Sequence, residues 1–473
     1  MNYLQLVLKQ MRQRALSTWL TTLSVTLGVG LAIAIMVLGR ESQALFGQND
    51  YGYDVLVGKK GSPLQLTLNT IYHVDVSPGN IPYEIYARLA SGDLKKYVAN
   101  AVPTVVGDTY QGKYRIVGTY PSMFGYDVDG QPLPADRIMN YRPGRHLEMD
   151  QGRVFAPNKF QAVVGSDIPR LTGLSIGSIF QATHGIPLPS EKPDIHAEKW
   201  TVVGILAPTH TAIDRVLYIP LNSFYTIAEH GVGLIAQEKL REGQLPDTAA
   251  KPEEADEDTV PPVDGDGIQH FKNYDYNTRD GTLKITLPPS VWALSAILVQ
   301  SRGGVTGEAL RYDLNNGTDV MAVNPASVMR EFFDTFLKPT RQLLLGICSL
   351  VTVVAAVGIL VSIYNSVSAR LKEIAILRAL GATRKTVLSL ICLEAAVIAA
   401  IGSVLGVAVG HGINALGAWY MMHRYGEVLQ YDYREVVFEA AYVACVIAAA
   451  VVAGLVPAMK AYRTPVATYL VAS

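Results

Sequence analysis

The chain has 473 residues, 49% of them hydrophobic, and a formal net charge of −1. That near-neutral balance carries no nucleic-acid footprint, and the average conceals two populations: long uncharged apolar runs and a polar stretch of about 300 residues, enough to bury a core of its own. Cys348, Cys392 and Cys445 all fall in apolar runs, so the polar stretch folds without disulfides and the thiols read as small packing residues.

In chain order, residues 1–16 carry Lys9, Arg12 and Arg14 and lead into the uncharged run Ala15 to Gly39. A helix needs about 20 apolar residues to cross the hydrocarbon. This run is too long for the apolar core of a secretory leader, and no small-x-small cleavage pattern precedes Arg40. Residues 17–39 are therefore expected to form a retained transmembrane helix. Residues 40–340 read as a mixed α/β domain. Tyr53–Val57 and Gln65–Leu68 have strand-like content, and Tyr83–Val98 places Ile85, Leu89 and Leu94 on one side of a helix. Ala101–Val106, Tyr114–Gly118, Ala162–Gly165, Trp200–Leu206 and Val216–Ile219 are β-rich runs bounded by Gly and Pro, with Gly173–Gly177 as a turn between strands. Residues 238–267 are dense in acid and poor in apolar side chains, and are expected to be a disordered, solvated insertion. Thr282–Leu287 and Ala293–Val299 return to strand character. Val323–Leu337 is expected to be a helix with Phe332, Phe333 and Phe336 on its apolar side, forming a stalk into the next span.

Three further spans close the chain, expected at 341–367, 387–420 and 437–458. Backbone polar groups must be paired inside lipid, so these are helices. Arg370, Lys372, Arg378, Arg384 and Lys385 crowd the segment 368–386, and Lys460 and Arg463 lie in the tail 459–473, whereas the loop 421–436 is of mixed charge. By the excess of basic residues near the span ends, both termini and the segment 368–386 face the cytoplasm and the large domain lies outside.

The segment Ser368–Val387, SARLKEIAILRALGATRKTV, is basic and amphipathic. Ile374, Ile376, Leu377 and Leu380 offer an apolar anchor of the helix-in-groove kind. Arg370, Lys372, Arg378 and Lys385 suit acidic groups of a partner or anionic lipid. Gly381 suits a helix end in the left-handed conformation. In the third span Gly402, Gly406 and Gly410 make a double small-xxx-small pattern, which serves packing within one chain or between two. Glu394, an acid inside that span, reads as a hydrogen-bonded structural group or as a lipid- or proton-linked one. His184, His196, His210 and His230 fall within one outer stretch. Imidazole with carboxylate suits zinc or a similar metal, but their spacing fits no compact zinc template, and ordinary loop histidines are the other reading.

No G-x-x-x-x-G-K-[ST] phosphate loop is present, Gly58-Lys-Lys-Gly61 having the wrong spacing, and there is no H-E-x-x-H or G-x-S-x-G. The positive signal is a resemblance. Lys372-Glu-Ile-Ala-Ile-Leu-Arg-Ala-Leu-Gly-Ala382 resembles the characteristic motif of the FtsX/MacB-like permeases of ABC transporters (type VII). Gly454-Leu-Val-Pro-Ala458 with Ala461 and Pro465 is similar to that family's ending, and Gly58–Pro63 and Ala162–Ser166 resemble its periplasmic core domain. The order of one span, a large external domain and three closing spans is also the family's. Some members carry an ATPase in the same polypeptide; this sequence has none.

The resemblance implies four transmembrane helices plus a large extracytoplasmic mixed α/β domain, in a bacterial inner membrane. It implies a permease rather than an enzyme. Arg370, Lys372, Glu373, Ile374, Ile376, Leu377, Arg378, Leu380, Gly381 and Ala382 would form a coupling helix on a separate cytoplasmic ATPase dimer, which would hold ATP and Mg. A second permease chain, identical or not, membrane lipid and a periplasmic adaptor or substrate-binding protein are the other implied partners. The work would be mechanotransmission: export, efflux or extraction of an amphipathic lipid, lipoprotein, peptide or drug. A signalling subunit acting on an extracytoplasmic protein, and metal-linked transport or chemistry at the outer histidines, are the alternatives.

Overall fold

The computed structural model describes residues 3–46, 51–74, 76–187, 192–227, 261–271, 273–317, 319–425 and 436–463. The chain divides into two compact units, Leu45–Phe333 and a helical unit of Met1–Ala44 with Asp334–Ser473.

The first unit is built on a ten-stranded mixed sheet. In chain order its strands are β1 (Val55–Lys59), β2 (Val98–Tyr110), β3 (Tyr114–Thr119), β4 (Met149–Gly152), β5 (Gln161–Val164), β6 (Ile179–His184), β7 (Ile195–Leu206), β8 (Leu217–Pro220), β9 (Ala296–Ser301) and β10 (Val320–Val323). Their spatial order is β10-β1-β9-β2-β3-β8-β5-β7-β4, with β6 pairing both β7 and β2. β1 is antiparallel to both neighbours, with Val57 opposite Ile297 and Ala322. β3 with β8, and β5 with β7, run parallel.

Both faces of the sheet are covered, which is why its central strands read as continuous apolar runs rather than alternating ones. Val55 and Val57 face one core with Ile85 and Leu89 of the helix Tyr83–Ala90, Leu310 and Leu314 of the helix Thr306–Gly317, and Trp200 and Trp292. Leu56 points to the other face, among Leu66, Met123, Phe124, Phe155 and Tyr218, as a period-two strand requires.

Four sequence expectations change here. Gln65–Leu68 is not a strand but part of the helix Pro63–Ile71. Ser62 Oγ accepts from Gln65 N and proline occupies the first turn, so the cap overrides the alternating pattern. The helix expected over Tyr83–Val98 stops at Ala90, and Asp93–Tyr97 forms a separate 3-10 turn before β2. Gly173 terminates the short helix Ile168–Thr172 rather than linking two strands. Of the acidic insertion, 238–260 lies outside the described residues, while 261–267 is ordered: Asp264 Oδ1 accepts from the backbone of Asp266 and Ile268, leading into the strand Ile268–His270.

The helical unit contains α1 (Tyr3–Gln13), α2 (Ala15–Phe46), α3 (Lys338–Ala369), α4 (Leu371–Ala379), α5 (Arg384–Tyr425) and α6 (Val436–Arg463). The helix Pro325–Phe332 begins only after β10 has ended at Val323, and a π-helical turn, Phe333–Leu337, precedes α3. Four helical segments, Ala15–Arg40, Pro325–Ala369, Arg384–Met421 and Val437–Met459, are long and apolar enough to cross a membrane. Their shared core joins Val25, Val29 and Ile33 of α2 to Ile359 and Ile363 of α3, Ile391 and Ala395 of α5, and Val446 and Ala450 of α6.

Candidate functional site

Between α3 and α5 the chain makes a short capped hairpin. Arg370 leaves helical geometry (φ −114°, ψ 14°), its N–H donating to Val367 O, and this breaks α3 from α4. α4 ends in a Schellman cap. Gly381 N donates to Arg378 O and Ala382 N to Leu377 O, and Gly381 itself adopts φ +100°. Thr383 then caps α5, its Oγ1 accepting from Thr386 N. Two caps back to back fix where one helix stops and the next begins.

Replacing Gly381 with valine should therefore loosen this hairpin, because a left-handed conformation costs an L-residue about 1–2 kcal/mol and more if β-branched. Faster amide exchange confined to residues 377–386 is the expected reading, with the core of α5 unchanged.

The exposed side of α4 is apolar. Ile376 and Leu377 are exposed and Leu380 is 81% exposed, with Lys372 and Glu373 on the same solvent side. Ile374 does not join them: with Leu371 it packs partly buried against the helical core, next to buried Ala375. The outward anchor is thus Ile376, Leu377 and Leu380. Arg378 and Ala382 are half-buried at the turn. Arg384 and Lys385 occupy the first turn of α5, where positive charge opposes the helix dipole by about 0.3–1 kcal/mol each. Arg384 stands over the Tyr462 ring of α6 at 5.4 Å.

Behind the hairpin lies a buried acid near two arginines. Glu394 of α5 is 8% exposed, and the positive charges acting on it are Arg370, from the α3–α4 break, and Arg14, from the α1–α2 break. At the opposite ends of the spans, His411 Nε2 of α5 lies 3.0 Å from Glu439 Oε2 of α6. Arg40 of α2 stands over the Phe438 ring at 5.6 Å.

Gly402, Gly406 and Gly410 face α2 of the same chain. A Cβ added at each would lie 2.7 Å from Val25 Cβ, 2.6 Å from Val29 Cβ and 2.8 Å from Ile33 Cβ respectively. Of the histidines proposed as ligands, His184 and His196 come together, joined by Asp108. His210 does not; it sits at φ +55° with its N–H donating to Asp214 Oδ2, in a separate loop. His230 lies outside the described residues. Asp108, Thr383 and the partners of Glu394 were missed from sequence. Only Thr383 left a local sign, a hydroxyl residue directly before a helical run.

Residues 18–253 match the MacB-like periplasmic core domain, and residues 345–466 match the FtsX-like permease C-terminal domain. The chain is similar to the macrolide export ATP-binding/permease protein MacB of Brucella abortus (strain 2308), 31% identical over 145 residues, covering 31% of this chain and 21% of that protein. Its counterpart in Azoarcus sp. (strain BH72) is 33% identical over 146 residues, 31% of this chain and 21% of that protein. That of Wolinella succinogenes is 30% identical over 141 residues, 30% of this chain and 20% of that protein. Each alignment thus spans about a fifth of the relative's length.

Proposed function

Since the chain belongs to the FtsX/MacB-like permeases, we propose that it is the membrane subunit of an ABC transporter that couples ATP hydrolysis on a separate cytoplasmic ATPase to movement of its outer domain. The observation that carries this reading is the apolar outer side of α4. Ile376, Leu377 and Leu380 stand exposed together between basic side chains on a segment too polar to enter the bilayer. Clustered exposed apolar side chains of this kind mark an interaction surface, and a short helix with such a face fits a groove.

In this reading the ATPase grips α4, and closure of the ATPase pair on ATP tilts the hairpin. Arg370 sits at the base of α4 and beside the field of Glu394, so tilting α4 is resisted and transmitted by that buried group. The moving helices are α2 and α5, locked to each other by the glycine seam. A second permease chain packs on α3, where Leu343, Leu350, Val353, Val354 and Val357 are exposed. The membrane is a bacterial inner membrane, with the hairpin cytoplasmic and the large domain periplasmic, following the basic residues around α4. The substrate class is amphipathic: lipid, lipoprotein, peptide or drug.

The test is co-purification from native membranes. An ATPase subunit, identified by mass spectrometry, should accompany the wild type and fall at least ten-fold in an Ile376→Asp/Leu377→Asp double variant that still elutes as a monodisperse particle. Equal recovery with both proteins, or no ATPase with the wild type, would remove the coupling role from α4.

A further inference from the structure

The outer sheet assembles three metal-ligating side chains from strands far apart in sequence. Asp108 on β2 is the register partner of His184, the last residue of β6. β6 pairs on its other side with the start of β7, where Ile195 lies opposite Thr183, and His196 follows. His196 Nε2 is 3.4 Å and His184 Nδ1 3.7 Å from the same oxygen, Asp108 Oδ1. The three donor atoms all lie within 4.8 Å of one another. The imidazole rings stand almost perpendicular, at 88° with centroids 5.6 Å apart. The Asp108 side chain is fully buried, that of His196 is 8% exposed and that of His184 47%, so the cluster is walled by the sheet and open on one side.

Two physical accounts apply to this cluster, a hydrogen-bonded ion pair and a cation site. A hydrogen bond between imidazolium and carboxylate settles at about 2.7–2.9 Å. His270 makes one contact of that kind, Nδ1 2.7 Å from Asp275, and a longer one, Nε2 3.1 Å from Asp264, on the exposed surface. The Asp108 contacts are longer, and both converge on one oxygen. Nitrogen and oxygen ligands held about 2.0–2.1 Å from a tetrahedral cation stand roughly 3.3–3.5 Å from each other. The spacing of 3.4 and 3.7 Å matches ligands around a centre, and the shorter contact is also a long hydrogen bond in the absence of an ion. The charge balance agrees. A buried carboxylate requires compensation, which a bound cation would supply at Asp108.

We propose that Asp108, His184 and His196 bind a divalent transition cation of the zinc class. Two imidazole nitrogens and one carboxylate oxygen are the ligands, and the fourth position lies on the exposed side of His184, open to water or an incoming ligand. Neutral imidazole with carboxylate is a donor set for such borderline metals rather than for calcium or magnesium. A bound ion would clip β2, β6 and β7 together at one end of the sheet.

The site is tested on the full-length chain in detergent, purified through a tag without histidine, stripped with a chelator and dialysed against zinc. About one zinc per chain should be retained by the wild type and by a His270→Ala control. His196→Ala should lose it, and so should His184→Ala, which changes a half-exposed side chain at a strand end and preserves the fold if the buried substitution does not. With cobalt in place of zinc, the visible bands of a tetrahedral ion should appear in the wild type and vanish in both variants. Absence of stoichiometric metal in the wild type, or its retention in His184→Ala with intact thermal unfolding, would overturn the assignment. Neither readout depends on an ATPase, so failure here leaves the coupling role of α4 standing, and the reverse.

Discussion

Replacing Gly406 with leucine is expected to prevent the helical unit from assembling in its native packing, whereas the same change at Gly412, six residues along the same helix, is expected to be tolerated. At Gly406 a Cβ would fall 2.6 Å from Val29 Cβ and 2.9 Å from Thr26 O, with α2 backbone directly in its path. No rotamer relieves a clash that begins at Cβ, so the helices must separate. Inserting methylenes into a well-packed site costs about 1–3 kcal/mol, and here separation also undoes the neighbouring contacts at Gly402 and Gly410. At Gly412 nothing stands within 4 Å of the position, so leucine there should stay within about 0.5 kcal/mol of wild type. Thermal unfolding in detergent, followed by size-exclusion chromatography, checks the pair. Equal losses at both positions would mean that the α2–α5 seam does not set the need for glycine, since leucine is the better helix former at either. Small residues drive membrane helices together because they let backbones approach.

Glu394→Ala should be the second most damaging change. Its carboxyl group is desolvated by burial, and the charges acting on it are those of Arg370 and Arg14, each at a break between helices. Removing one member of a buried charge group costs about 3–5 kcal/mol, while exchanging the group for apolar side chains of similar size is often neutral. A Glu394→Leu/Arg370→Met double variant should therefore recover much of what Glu394→Ala loses in thermal stability. It should not recover the coupling proposed for α4, since the arginine at the base of that helix would be gone. Additive losses in the double variant would show that the two side chains do not act on each other.

These two features were unequally legible in the sequence. The glycines announce close packing by their four-residue spacing, but the choice between α2 and a second chain depends on which helix the fold brings alongside. Glu394 was recognisable as costly in lipid, yet its partners come from helix breaks at Arg14 and Arg370 that no proline or glycine marks. In the sheet unit, apolar runs identified β3, β5, β7 and β8 because strands buried on both faces must be apolar along their length. Gln65–Leu68 was misread because its alternation is also compatible with one side of a helix, and the decisive signal, Ser62 followed by Pro63, lay just before it. Asp108 had no local signal at all. Its place beside His184 is set by strand register, and register depends on which distant segments pair.

One property of the sheet bears on how the protein is made. β1, the first strand of the sheet, is hydrogen-bonded between β9 and β10, its last two, with Val55 opposite Val299 and Leu56 opposite Val323. Non-local pairing of this kind is slow, because loop-closure entropy is lost before the contacts that offset it form. During synthesis from the N-terminus, β1 emerges with both of its neighbours still unmade. Its two apolar faces and two open edges must wait for almost the whole unit to follow. The completed sheet therefore cannot exist on a truncated chain, and the interval before β10 arrives is when this domain is most exposed to aggregation and to proteolysis.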